Sequence, residues 1–293
     1  MTNPNNENEK DSIIHRLRTD YRSAGTDKRQ HRHGTVCRSN DYKIKSTDAR
    51  GNEATDSMQL ATLVGIRVTK CMEYNRAMTD DFGENLNRDF HFGEWNARKY
   101  NLPVLYINYP EGETRSFDKI VPYRYLVKGT TPNIAWQLTD DTLTIGEYLC
   151  RKATGEYAGR TWHAWYTEDI PASAGPWKLR GLPGIILKAI DEKGIFTFEF
   201  CGLINRKAKM SYMDEGGYQS ITEKKFVSQR NKIFCSKRYV QNPSYYIPEG
   251  ALSDAVEMWP GGPEPPADEK LTAIARDLIV PKKANAYQPL ELK

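Results

Sequence analysis

From residue 102 onward the chain is interrupted by turn-forming residues at intervals of roughly eight to twelve, and this spacing limits its possible folds more than any other feature. The run "VLYINY" stops at "PEGE", "IVPYRYLVK" stops at "GTTPN", and "IAWQLTDDTLTIGEYLCRKA" carries its own turn at "TDD". Segments this short, rich in Val, Ile, Tyr, Trp and Thr and bounded by Gly, Pro, Asn and Asp, fit strands joined in antiparallel order. "GIILKAID", "EKG" and "IFTFEFCGLI" repeat the pattern as a compact hairpin. Strand side chains alternate, so in "YLCRKA" Tyr148, Cys150 and Lys152 share one face and Leu149, Arg151 and Ala153 the other. In "RTWHAWYT" the same rule groups Trp162, Ala164 and Tyr166 opposite Thr161, His163, Trp165 and Thr167. Neither face is uniformly polar, so both are expected to be covered. The 17 Tyr and 6 Trp add side chains that suit pleated, half-buried surfaces. The expected fold is mainly β, of the α+β kind: a curved antiparallel sheet or partly open barrel with one or two packed helices.

Helical periodicity enters late. "SITEKKFVSQRNKIFCSKRYVQNP" opens on Ser220 with Glu223 three residues on, an arrangement in which two side chains cap a helix start. Phe226, Val227, Ile233 and Phe234 supply its apolar stripe, and Pro243 ends it. Upstream, "MQLATLVGIRVTKCMEY" (residues 58–74) reads as the first strand-like segment, and residues 83–103 as a short helix or irregular insertion. Residues 1–55 carry few apolar side chains and read as a weakly ordered tail. Residues 56–242 form the β-rich domain. Residues 243–293 hold the linker "MWPGGPEPPADEK" and a short helix in "DEKLTAIARDLIV".

Composition narrows the function classes. Net charge is +4, from 42 basic and 38 acidic residues, too mild for a dedicated nucleic-acid binder. Cys37, Cys71, Cys150, Cys201 and Cys235 are widely spaced, with none of the CxxC or CxxH pairs that suit zinc, so no metal or cofactor is expected. Their odd number permits at most two internal disulfides. The polar amino terminus lacks the apolar core of a secretory signal, and no stretch has the apolar length of a transmembrane helix. Taken alone, these features describe a soluble, cytoplasmic chain.

The densest local information is "GPWKLRGLPGIILKA", residues 175–189. It lacks the order of a phosphate loop, and a strand-like run rather than a helix follows its last glycine. No nucleophile stands at its centre. Gly181, Leu182, Pro183, Gly184 and Ile185 therefore read as a structural motif, a rigid turn that launches a buried strand. His163, with Glu168 or Cys150, offers a hydrolase reading, but a satisfied histidine, an acidic turn and a core cysteine explain the same residues. Arg160, Lys178 and Arg180 lie near Trp162, Trp165 and Trp177, and cations among aromatics can bind sugars or other polar ligands.

"YLCRKAT", "GRTWHAWYTEDIP" and "GPWKLRGLPGIIL" stand in the order and spacing of the family named for its GLPGI signature, found largely in Bacteroidota, and the central fifth of the chain resembles it closely. That family has no established biochemical activity. The resemblance implies an exported envelope protein, and association with an outer-membrane transport system; its members usually carry a signal peptide, which the amino terminus here does not show. On the resemblance the chain is periplasmic or outer-membrane associated, and on its amino terminus cytoplasmic. The combined expectation is a non-enzymatic binding or accessory protein with an envelope or outer-membrane protein partner and no nucleic-acid partner. Trp162, Trp165, Trp177, Lys178 and Arg180 are its candidate contacts. The alternatives are the hydrolase and a purely structural assembly protein.

Overall fold

One strand belongs to two sheets, and the architecture follows from it. The computed structural model describes residues 34–38, 41–47, 53–82, 103–120, 123–208, 210–235 and 290–292. The expected tail before residue 34, the insertion at 83–102 and the linker and short helix within 243–289 lie outside the described residues. The elements are β1 (Gly34–Arg38), β2 (Asp41–Thr47), β3 (Glu53–Val64), β4 (Thr69–Glu73), α1 (Tyr74–Asp80), β5 (Val104–Ile107), β6 (Glu113–Ile120) and β7 (Tyr123–Thr130). They continue with β8 (Gln137–Ile145), β9 (Tyr148–Tyr157), β10 (Arg160–Thr167), β11 (Ile185–Asp191), β12 (Phe196–Glu199), β13 (Gly202–Ala208), β14 (Gln219–Thr222) and α2 (Glu223–Phe234).

Residues 53–59 of β3 pair with β2, whereas residues 60–64 pair with β4 and, on the other side, residues 62–64 pair with β1. The first sheet runs β14-β7-β6-β5-β4-β3-β1-β13, and the second runs β3-β2-β12-β11-β10-β9-β8. All pairings are antiparallel except that of β14 with β7. The fold is mostly β, as expected, and its two sheets do not close into a barrel. β1 and β2 lie within residues 1–55, so that part of the chain also contributes to the sheets.

Burial on both faces explains the apolar runs. In the first sheet Leu60, Cys71, Leu105 and Ile107 face a core completed by Trp162, Ala164, Tyr166 and Ala189 of the second sheet. Their neighbours Ala61, Leu63, Met72, Val104 and Tyr106 face the opposite way, under α1 and an aromatic cluster that includes Tyr212 and Tyr218. Trp162, Ala164 and Tyr166 thus share one buried face, as alternation requires. The segment 58–74 is two strands rather than one, because the chain reverses at Gly65, whose N–H bonds the Val68 carbonyl at 2.9 Å. α1 follows at once, capped by the Glu73 carboxylate, which accepts from the N–H groups of Asn75 and Arg76.

The capping box expected at Ser220 does not form. Ser220 lies in β14, where Gln219–Thr222 adds to β7, and the helix starts at Glu223 with Thr222 as its N-cap and no side-chain cap bond. The stripe itself holds: Phe226 and Val227 are buried, and Phe226 packs on Ile120, Tyr125 and Val127 of the first sheet. The helix ends at Phe234, well before Pro243.

The turn into β11 leaves no room at Gly184, where a β-carbon would stand 1.9 Å from the Thr167 carbonyl oxygen. Backbone cannot yield as a side-chain tip can, so Gly184→Ala is expected to cost about 3 kcal/mol. A urea titration of the variant showing an unchanged midpoint would refute this close approach.

Candidate functional site

The candidate contacts separate into an interior group and a surface group. Residues 175–182 cross over the buried face of β10 and bring Trp177 onto Trp162 (ring centroids 6.0 Å apart) and Tyr157 (5.5 Å). Trp177 is 3% exposed and adopts φ 53°, a left-handed conformation that a bulky residue holds only when its surroundings enforce it. Trp162 is fully buried and donates through Nε1 to the Tyr157 carbonyl at 3.4 Å. Arg180 is half-buried, and its carbonyl accepts from Trp136 Nε1 at 2.7 Å. Gly181 takes φ 100°, the conformation for which glycine suits this turn. Leu182 is buried in the same core, Pro183 is exposed, and Ile185 packs into a separate cluster with Tyr148, Cys150 and Leu187.

The left-handed turn at Trp177 drives Lys178 inward, into a polar seam between the two sheets. Its ammonium donates to the carboxylates of Glu223, at the start of α2, and of Glu291. Glu291 also accepts from Arg230 Nη2 at 3.1 Å, and Arg230 lies 3.9 Å from Asp118 of β6. Burial alone would lower the Lys178 pKa, but Glu291 and Glu223 overcome it and raise the value. Burial would raise Glu291 in the same way, and Lys178 and Arg230 hold it below the usual range. Asp118 goes the other way: burial pushes it up to about 6 against the pull of Arg230. The sequence singles out Lys178 but marks neither Glu223 nor Glu291 as its partner. Lys178 stands in an apolar-flanked, glycine-bracketed stretch, a hint that its charge would be buried and in need of acids.

Trp165 lies on the opposite face of β10, half-buried. Register places it directly between Lys152 of β9 and Lys188 of β11, whose ammonium groups sit 5.9 and 5.7 Å from the ring centroid. Both lysines are also paired with acids: Lys152 with Asp141 at 3.2 Å, and Lys188 with Glu199 at 3.5 Å. Glu199 in turn binds Lys43 at 2.6 Å. Asp141, Lys152, Trp165, Lys188, Glu199 and Lys43 therefore form one row of paired charges about an indole, across six strands. The four charged side chains Lys152, Lys188, Glu199 and Lys43 keep 28% to 42% of their surface, so solvent reaches the row. Two residues before Trp165 on the same strand, His163 Nδ1 pairs with Thr154 Oγ1 at 3.1 Å.

The hydrolase residues do not converge. His163 pairs in register with Thr154 and Arg151 with Tyr166, which sets Cys150 four positions from His163 along the ladder, about 13 Å at strand rise. Cys150 is fully buried, donates to the Tyr148 carbonyl, and has its thiol pushed up to about 11 by burial, the reverse of an activated nucleophile. Glu168 is exposed and lies 3.9 Å from Arg151. Cys71, Cys150, Cys201 and Cys235 are all free thiols. No group of three or more metal-ligating side chains occurs among the described residues.

Two measurements check these environments. Native alkylation with iodoacetamide at pH 8 is expected to label Cys201 and Cys235, which are exposed, and to spare Cys71 and Cys150; rapid labelling of Cys150 would contradict its burial. Because Asp118 has a raised folded-state pKa, the folded protein keeps this proton where the unfolded chain has released it. Its favourable contribution is complete below about pH 4 and is lost as pH rises through 6. Urea titrations should show wild type losing about 2–3 kcal/mol relative to Asp118→Asn between pH 4 and pH 7. A pH-independent difference would rule out the shift.

Comparison with known proteins places the center of this region in a family context. A Bacteroidota-type family described as a protein of unknown function, Porph_ging, matches residues 156–188, from the end of β9 through β10 and the turn into β11. No curated protein matches the chain. Two solved structures of PNGF-II, in space groups P21 and C2, align with 16% and 17% identity and TM-scores of 0.42 and 0.39, over 68% and 64% of this chain. The chain spans about a third of the length of those proteins, 33% and 31%.

Proposed function

We propose that the protein is a non-enzymatic binding or accessory component of the cell envelope, acting beside an outer-membrane transport system, and that it engages its partner through the row centred on Trp165. The envelope setting rests on the resemblance of residues 148–187 to the GLPGI family. The surface rests on one observation: of the aromatic residues in the signature region, Trp165 alone lies among accessible charged side chains, while Trp162 and Trp177 are sealed in the core. An indole flanked by two ammonium groups, each paired with a carboxylate, presents an apolar surface inside a border of three lysines and two acids. Such a patch suits a polar partner that supplies its own paired donors and acceptors. Trp162, Trp177 and Lys178 then act as the support that holds β10 in place, and Arg180 lies at the margin of that support.

The test is sedimentation with purified envelope fractions from the source cells, comparing wild type with Trp165→Ala and with the double variant Lys152→Ala/Lys188→Ala. Both variants are expected to lose at least tenfold in retention. The double variant keeps the wild-type melting temperature within a few degrees because its lysines are partly exposed. Trp165→Ala also loses packing on the cluster of Tyr148, Cys150, Ile185 and Leu187, and is compared at a temperature where it stays folded. Equal retention of all three proteins would remove this surface from consideration.

A further inference from the structure

Every residue of the tripeptide Leu290, Glu291 and Leu292 is held by the fold. Leu290 packs against the core that contains Trp162 and Trp177, and its carbonyl accepts from Arg160 Nε at 3.2 Å. The Glu291 carboxylate takes Lys178 and Arg230, and the Glu291 carbonyl accepts from Asn231 Nδ2 at 2.7 Å. The Leu292 N–H donates to the Ala158 carbonyl at 2.8 Å. No described strand or helix includes these residues, so side-chain contacts and one backbone bond hold them.

We infer that the polar seam is a socket for an extended peptide in which a carboxylate follows an apolar residue and the next backbone N–H is free to donate, and that residues 290–292 are its occupant in cis, with the Leu292 side chain exposed. The receiving groups are fixed by contacts of their own. Arg160 is anchored by Asp191 at 2.9 Å, Lys178 follows the buried Trp177, and Arg230 and Asn231 project from a helix seated on the first sheet. The socket also keeps its charge balance when vacated, because Lys178 retains Glu223 and Arg230 retains Asp118. Asn231 Oδ1 is buried with no hydrogen-bond partner among the described residues, an acceptor that residues 290–292 leave unused and that a further peptide N–H would fill. An occupant on the same chain competes intramolecularly, so a free peptide of the same chemistry binds weakly until the resident carboxylate is removed. This inference does not draw on the Trp165 surface.

The probe is a fluorescein-labelled peptide with the sequence of residues 286–293, AYQPLELK, read by anisotropy against the full chain. Glu291→Ala protein is expected to bind it at least tenfold more tightly than wild type does, and a peptide with Gln in place of the Glu is expected to bind the variant at least tenfold more weakly. A folded Glu291→Ala protein that ignores the peptide, or does not distinguish Glu from Gln, overturns the inference. Hydrogen exchange on wild type supplies a readout that needs no variant: unlabelled peptide at several millimolar should speed exchange of the Leu292 amide. Unchanged protection there overturns it equally.

Discussion

A lysine ammonium sealed from water requires carboxylates in contact, and Lys178 obtains them 45 and 113 residues away, from Glu223 and Glu291. Removing the lysine from such a buried set leaves its carboxylates without compensation, a loss of about 3–5 kcal/mol in comparable cases. The requirement fixes several parts of the molecule at once. It sets where α2 begins, seats residues 290–292, and holds the crossing loop so that Trp177 closes the core over Trp162 despite its left-handed backbone. The two sheets meet through an apolar core, and this ion network lies beside it, next to Trp177, Leu179 and Leu290.

What was legible in the sequence was what short-range periodicity encodes. The alternation that placed Trp162, Ala164 and Tyr166 on one buried face needed only the two-residue repeat of a strand, and the hairpin of β11 and β12 needed only its turn. Cross-strand neighbours depend on register, which no single segment specifies. The row through Lys152, Trp165 and Lys188 was therefore invisible, although each residue lay in a segment correctly assigned to a strand. Ser220 and Glu223 misled for a related reason: a local capping signal lost to a long-range one, since Ser220 joins β7 and Glu223 binds Lys178. Glu291 carried no local mark, and its burial is imposed by residues far away in the chain.

The signature region also shows how a distinctive sequence can serve structure more than chemistry. Gly184 is dictated by the Thr167 carbonyl, Gly181 by its backbone angle, and Lys178 by buried acids. None of these constraints needs a substrate. The part of the region free to face a partner is the one whose side chains reach solvent, and there Trp165 is surrounded by residues from β8, β11, β12 and β2 as much as from β9 and β10.

β3 gives the molecule a mechanical character. Because it pairs with β2 along residues 53–59 and with β4 along residues 60–64, tension between the sheets passes along a continuous covalent backbone instead of across an interface. To part them along β3, the ladders on either side must slide in shear, with many hydrogen bonds strained together rather than opened one by one. A protein pulled from both ends in this direction would resist as a single piece, while the edge strand β8 could be peeled away from β9 bond by bond.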